Sequence, residues 1–348
     1  MSRFFARFSG ITGPLLTAVL LLAPSAVFAQ DEEKIPDEAE AQAICARFAK
    51  YKPGPEARAT DQDRKAFSAK SADCTGYVYD TGEGTNRDKG RRCCLVHGDC
   101  NRELGMIFAN GWGVHRDYDA ATYFLCHADD EMAPFEQWEM LGHVETMRKA
   151  GQPKDLDFCD YAESGTGTSW CAQLDLARGS VGWERRIAEI RPALGAAQPS
   201  LAALRKAADT FIEANAEADA AISLGGTIYP TLVLGSEASG NEAFVANLER
   251  FGRQRADATT PEKLKTADAA LNAAYKAAMG REEFTDDHAL SESLRSAQRA
   301  WLRYRDAWIA FYRLRWKDAA PPDALDREIT AALTAQRTGE LKKMMEEE

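Results

Sequence analysis

The sequence is poor in the groups that most often carry catalysis. It has only five histidines. None of His97, His115, His127, His143 or His288 stands in a Ser-His-Asp-like order or a His-Glu-x-x-His run, so neither triad hydrolysis nor zinc peptidase chemistry has a carrier. Carboxylates are plentiful, but no pair of them marks itself out for glycoside chemistry. Runs of β-branched residues are nearly absent, which argues against a sheet. Cysteine is missing from residue 172 onward. Beyond residue 29 no apolar stretch reaches the length of a bilayer span. Positive charge is also in deficit, with 43 Lys and Arg against 54 Asp and Glu and a formal net charge of −11. That balance disfavours nucleic acid or an anionic membrane and favours a neutral or basic partner. No catalytic residue, metal site or cofactor is expected.

What is present begins with a leader. Arg3 and Arg7 precede an uncharged stretch whose centre is Leu15-Leu16 and Leu20-Leu21-Leu22. Val27-Phe28-Ala29 offers small residues at the −3 and −1 positions of a cleavage site. Residues 1–29 therefore have the form of a secretory signal peptide, with an uncleaved anchor as the rival. The mature chain would start near Gln30, periplasmic or secreted and without stable membrane insertion. Loss of Arg3 and Arg7 takes the net charge from −11 to −13.

Export decides how the cysteines are read. There are eight, Cys45, Cys74, Cys93, Cys94, Cys100, Cys126, Cys159 and Cys171. An even number in an oxidising compartment implies disulfides, and eight cysteines allow 105 complete pairings. Cys93, Cys94, His97 and Cys100 also have the compact spacing of a zinc knuckle, which stays as the minor alternative.

The fold class expected is all-α, helical hairpins and small bundles with a disulfide-stapled N-terminal half. Residues 52–92 look irregular, with one short helix near 61–70. Beyond about residue 96 the apolar residues recur at helical spacing. Leu201, Leu204, Ala208 and Phe211 form one stripe; Leu290, Leu294, Ala297, Trp301, Trp308 and Phe311 form another, with Asp287 as its cap. The two helices align without a gap, Leu204-Arg205-Lys206-Ala207 on Leu294-Arg295-Ser296-Ala297 and Phe211-Ile212 on Trp301-Leu302. A duplicated helical unit accounts for this; chance likeness of two amphipathic helices is the alternative. Helix 295–317 also interleaves basic and aromatic residues. A core helix whose arginines lie over its aromatics explains that better than a nucleic-acid surface.

Between residues 101 and 130, Leu104-Gly105, Phe108, Gly111-Trp112-Gly113-Val114, Asp117-Tyr118 and Ala121 are spaced for two short antiparallel helices. Gly105 would allow close approach, Gly111 and Gly113 would turn the chain, and Asp117 would cap the second helix. This string resembles a Sel-like repeat, a relative of the tetratricopeptide repeat. The hairpin places Cys100 opposite Cys126, so Cys100–Cys126 is the pairing expected.

The most distinctive string is Gln298-Arg299-Ala300-Trp301 followed by Tyr304-Arg305-Asp306. Leu271-Asn272 and Tyr275 precede it; Leu333-Thr334, Arg337 and Glu340-Leu341 follow. Over residues 262–342 this resembles the LprI-like lysozyme-inhibitor domain. Residues 159–253 resemble a diverged copy in which Ala208-Asp209-Thr210-Phe211 replaces the central string. The last unit lacks the cysteines often found in that family, and Trp308 and Ile309 stand near where the first would fall. The resemblance implies a non-enzymatic protein-binding function, inhibition of a lysozyme-type cell-wall hydrolase. The Sel-like repeat implies a scaffold or adaptor instead. A cell-wall enzyme is the remote third reading. The resulting domain plan is a signal peptide at 1–29, a Cys-rich region with the repeat at 30–150, the diverged unit at 151–256 and the LprI-like unit at 257–348.

Overall fold

The computed structural model describes residues 35–68, 74–79, 86–128, 133–150, 154–221 and 226–346. The leader expected at 1–29 lies outside the described residues. Every regular element among the described residues is helical. The N-terminal half holds α1 (Glu38–Phe48), α2 (Asp61–Ala66), α3 (Cys74–Tyr79), α4 (Arg87–His97), α5 (Asn101–Asn110), α6 (Tyr118–Leu125) and α7 (Pro134–Ala150). The rest is α8 (Gly165–Ile190), α9 (Leu201–Ala220), α10 (Tyr229–Arg253), α11 (Pro261–Met279), α12 (Glu282–Asp286), α13 (His288–Trp316) and α14 (Pro322–Glu346). No described helix is long and apolar enough to cross a membrane.

The first half corrects the expectation for 52–92. The short helix expected near 61–70 is α2, where the Thr60 hydroxyl accepts from the Asp63 amide and the Asp63 carboxylate accepts from the Thr60 amide. But α3 and α4 are helical as well. α3, with Thr75, Gly76 and Val78, has little helical preference of its own, and Gly90 weakens α4. A buried disulfide holds them together. Cys74 and Cys93 join α3 to α4, and both residues are buried.

The hairpin at 101–130 has the geometry its spacing requires. A Cβ on Gly105 would come within 2.6 Å of the Leu125 side chain, so α5 and α6 meet where only glycine fits. Gly111 and Gly113 both take φ +71° at the turn. The Asp117 carboxylate accepts from the Asp119 and Ala120 amides at 3.0 and 2.9 Å.

The expected Cys100–Cys126 bridge is not formed. Cys100 pairs with Cys94, and Cys126 pairs with Cys45. The other bridges are Cys74–Cys93 and Cys159–Cys171, so all eight cysteines are bonded. The two hairpin ends do meet, but through Asn101 Nδ2, which donates to the His127 carbonyl at 2.7 Å. Cys100 instead faces α4, because the reversal between α4 and α5 lays Cys94 against it with the Cα atoms 5.5 Å apart. Cys126 faces α1, which packs across α6 and α7.

Two apolar cores follow. The first gathers α1 to α7, residues 156–158 and the start of α8, up to Leu174. Polar groups fix its edge. Glu136 is fully buried and accepts from the backbone amides of Ala133, Glu163 and Ser164, which anchors the start of α8 on α7. The Arg102 guanidinium lies between the Phe158 and Trp170 rings, 4.5 and 3.8 Å from their centroids, and pairs with Glu103.

The second core runs from Trp183 on α8 to Met344 on α14. Its plan repeats. α8 pairs with α10, and α11 pairs with α14. α9 and α13, the helices that align without a gap, pack on each other. Phe211 on α9 stacks on Tyr304 of α13 with centroids 5.2 Å apart. Trp308 is fully buried between Phe251 and Phe311. A polar staple closes one end: Tyr312 Oη accepts from the Ala256 amide at 2.7 Å and donates to Glu328, which also takes the Arg255 fork. Burial pushes the Tyr312 hydroxyl up to about 12.

The bridges close loops of very different length, 81 residues for Cys45–Cys126 and 6 for Cys94–Cys100. Loop-closure entropy gives the long one about 4–5 kcal/mol and the short one about 2. Replacing Cys45 and Cys126 together by alanine should therefore lower the urea midpoint of the first core by more than replacing Cys94 and Cys100. Equal losses, or peptide mapping that recovers a Cys100–Cys126 fragment, would refute this connectivity.

Candidate functional site

The residues of the distinctive string divide by the face of α13 they occupy. Trp301 and Tyr304 are buried in the second core. Burial pushes the Tyr304 hydroxyl well above its ordinary range. Arg299 and Asp306 are exposed. Arg299 reaches Glu292 at 2.5 Å, and Arg305 lies over the Trp301 ring and pairs with Asp306 at 2.7 Å. Gln298 is half-buried and points towards α14, where its Oε1 accepts from Arg337 Nε at 3.2 Å.

Arg337 is the centre of the arrangement. It has no solvent exposure. It sits between Leu333 and Leu341, both buried, at the helical spacing of a core position. Its Nη1 donates to Asn215 Oδ1 on α9 at 2.6 Å and to Glu340 Oε2 at 3.0 Å. The guanidinium carbon stands 5.2 Å from the Phe211 ring centre. One charge thereby ties α14 to α13 and α9. Nη2 is buried and meets no hydrogen-bond partner. Arg337 lines a cleft of about 200 Å³ between α9, α10, α13 and α14. Gln336 extends the polar contacts to α10, accepting from Asn247 Nδ2 at 2.8 Å and donating to Glu340 Oε1 at 3.1 Å.

The other sequence-marked groups do not come to this site. Cys93, Cys94 and Cys100 have their sulfurs in disulfides and so have no thiolate to give a metal, although Cys74, Cys93 and His97 lie close together. His127 bonds the Tyr123 carbonyl, and His143 stands between Tyr161 and the Lys154 carbonyl. The aromatics of α13 face the core, while Arg313 pairs with Asp326 and Arg315 donates to the Gly252 carbonyl at 2.7 Å.

The sequence placed Arg337 in a motif without showing that it is buried. The available signal was the order Leu333, Arg337, Leu341, an arginine where a stripe calls for an apolar residue. Asn215 and the cleft carried no signal, because they depend on how α9 lies against α14.

Residues 253–341 match the family model described as lysozyme inhibitor LprI. The matched segment takes in α11 to α13 and most of α14, and it accounts for less than half of the chain. No curated protein matches the chain. No solved structure matches it either.

The buried couple is open to test. Arg337→Met should cost about 3 kcal/mol or more, since it leaves Asn215 and Gln298 facing no donor. Gln298→Ala combined with Arg337→Met should cost less than the two single changes added, because the two side chains share one hydrogen bond. Additive costs in a urea-unfolding double-mutant cycle would show that the two residues are not coupled.

Proposed function

We propose that the chain is an exported, non-enzymatic protein-binding protein that inhibits a lysozyme-type cell-wall hydrolase by occluding it. The observation that carries this reading is the lysozyme-inhibitor family match over residues 253–341. Three further features support it. The leader-like residues 1–29 and four disulfides suit a periplasmic or secreted protein. The net charge of −13 after loss of Arg3 and Arg7 favours encounter with a basic hydrolase. Trp301 and Tyr304 are used up in the core, which leaves Arg299 and Asp306 on the outer face of α13 as the part of the motif a partner can reach.

Residues 151–256 are, on this reading, a diverged copy of the same unit that supports the last one rather than duplicating its activity. The Sel-like resemblance favours a scaffold less. Repeat scaffolds bind partners on an open helical face, whereas α5 is buried at every residue from Arg102 to Asn110.

Purified mature protein, residues 30–348, should slow the clearing of cell-wall suspensions by at least one lysozyme at stoichiometric excess. The effect should weaken as salt rises from low to moderate, because charge contributes to the encounter. Absence of inhibition across several lysozymes at low salt would refute the proposal.

A further inference from the structure

The negative charge of the chain is not evenly spread. Residues 253–341 hold 15 Lys and Arg against 14 Asp and Glu, so the acidic excess lies outside the segment that matches the family. α13 goes further, with six arginines against Glu292 and Asp306. Three of the six are committed: Arg305 to Asp306, Arg313 to Asp326 and Arg315 to the Gly252 carbonyl.

The other three form a row. Arg295, Arg299 and Arg303 recur every four residues, which puts them on one side of α13 with successive Cβ atoms about 6 Å apart. A single carboxylate serves them, that of Glu292, 3.6 Å from Arg295 and 2.5 Å from Arg299. Arg303 is exposed and forms no hydrogen bond or ion pair among the described residues. Leu302 beside it is 39% exposed. The outer face of α13 thus carries a positive strip with an uncovered guanidinium, on a chain of opposite overall charge.

A guanidinium fork is shaped to take a carboxylate through two hydrogen bonds. Hydrolases of cell-wall glycan offer such carboxylates, because the glycosidic bond is cleaved between two carboxyl groups, about 5 Å apart in enzymes that retain configuration. The single helical turn between Arg299 and Arg303 gives two guanidinia a comparable spacing. On an enzyme of basic surface those carboxylates are a local acidic spot. The match then has two parts. The acidic remainder of the chain faces the basic surface and speeds encounter, while the positive strip faces the acidic spot and sets the orientation. An extended polyanion does not fit, since the same acidic remainder would repel it.

We propose that the Arg299–Arg303 turn of α13 is the part of the protein that enters the hydrolase cleft, with Arg303 on one catalytic carboxylate and Arg299 on the other. Glu292 keeps Arg295 when Arg299 turns to the enzyme. This rests on the inhibitory reading and adds the point of contact. Arg303 lies outside the distinctive string, so the family resemblance gives it no role.

The test uses the full mature chain, residues 30–348, and a lysozyme that it inhibits. Arg303→Glu should raise the inhibition constant at least about tenfold, the scale of one hydrogen-bonded charge contact. That variant is more acidic, which by itself favours encounter with a basic enzyme, so a loss reports the local contact. Arg185→Glu, the same charge change at an exposed position of α8, should leave inhibition within about threefold. Circular dichroism should be unchanged for both. Calorimetry against a lysozyme whose two catalytic carboxylates are converted to amides should show wild-type binding weakened at least about tenfold, with little further loss from Arg303→Glu. Inhibition by Arg303→Glu equal to that of the wild type or of Arg185→Glu would overturn the proposal, as would equal binding to the amide enzyme. A wild-type chain that inhibits no lysozyme would instead remove the inhibitory reading itself, and this contact with it.

Discussion

A guanidinium without contact with water is the constraint around which the last third of the chain is arranged. Arg337 is fully buried, and dehydrating it costs several kcal/mol that only well-placed partners can offset. Those partners come from different helices: Gln298 from α13, Asn215 from α9 and Glu340 from α14 itself. Each bond requires its helix to sit at one rotation about its axis. Apolar packing of Trp301, Trp308 and Phe311 supplies most of the driving force, but it tolerates small slips between helices. The hydrogen bonds to Arg337 do not. The charge thus defines geometry that the core alone would leave loose.

The two halves of the chain reach stability by different routes. α2, α3 and α6 have six, six and eight residues. Helices that short do not persist in water on their own. Four disulfides and buried polar anchors such as Glu136 make up the difference. Beyond Cys171 the helices lengthen, to 25 residues in α10 and 29 in α13, and no crosslink is needed. α8 joins the two regimes in one element. Leu174 near its start packs in the first core, and Trp183, Ile187 and Ile190 pack in the second.

The sequence made the long elements legible because periodicity and caps agreed. Asp287 caps α13 as its position implied, and Leu290, Leu294, Ala297, Trp301, Trp308 and Phe311 are all buried. The hairpin of α5 and α6 was legible for the same reason, since Gly105, Gly111, Gly113 and Asp117 each answer a local demand. What failed was set by distant chain. α3 and α4 depend on the bridge between them, so residues 52–92 read as irregular. The pairing of Cys126 with Cys45 depends on α1, 81 residues away, which no argument confined to the hairpin could include. The environment of Arg337 was hidden likewise, because Asn215 lies on α9, 122 residues away in sequence.

This division bears on what the family match means. The motif residues that set the string apart, Gln298, Trp301 and Tyr304, are spent on packing and on holding Arg337. The side chains of this stretch left exposed on α13 are Arg299, Leu302, Arg303 and Asp306, and they can change without loss of the helix. Packing and outer surface are therefore under separate constraints. The same logic separates the interior around Arg337 from the outer face: Gln298, Asn215 and Glu340 are held by the bonds that fix the helices, and the exposed side chains of α13 are not.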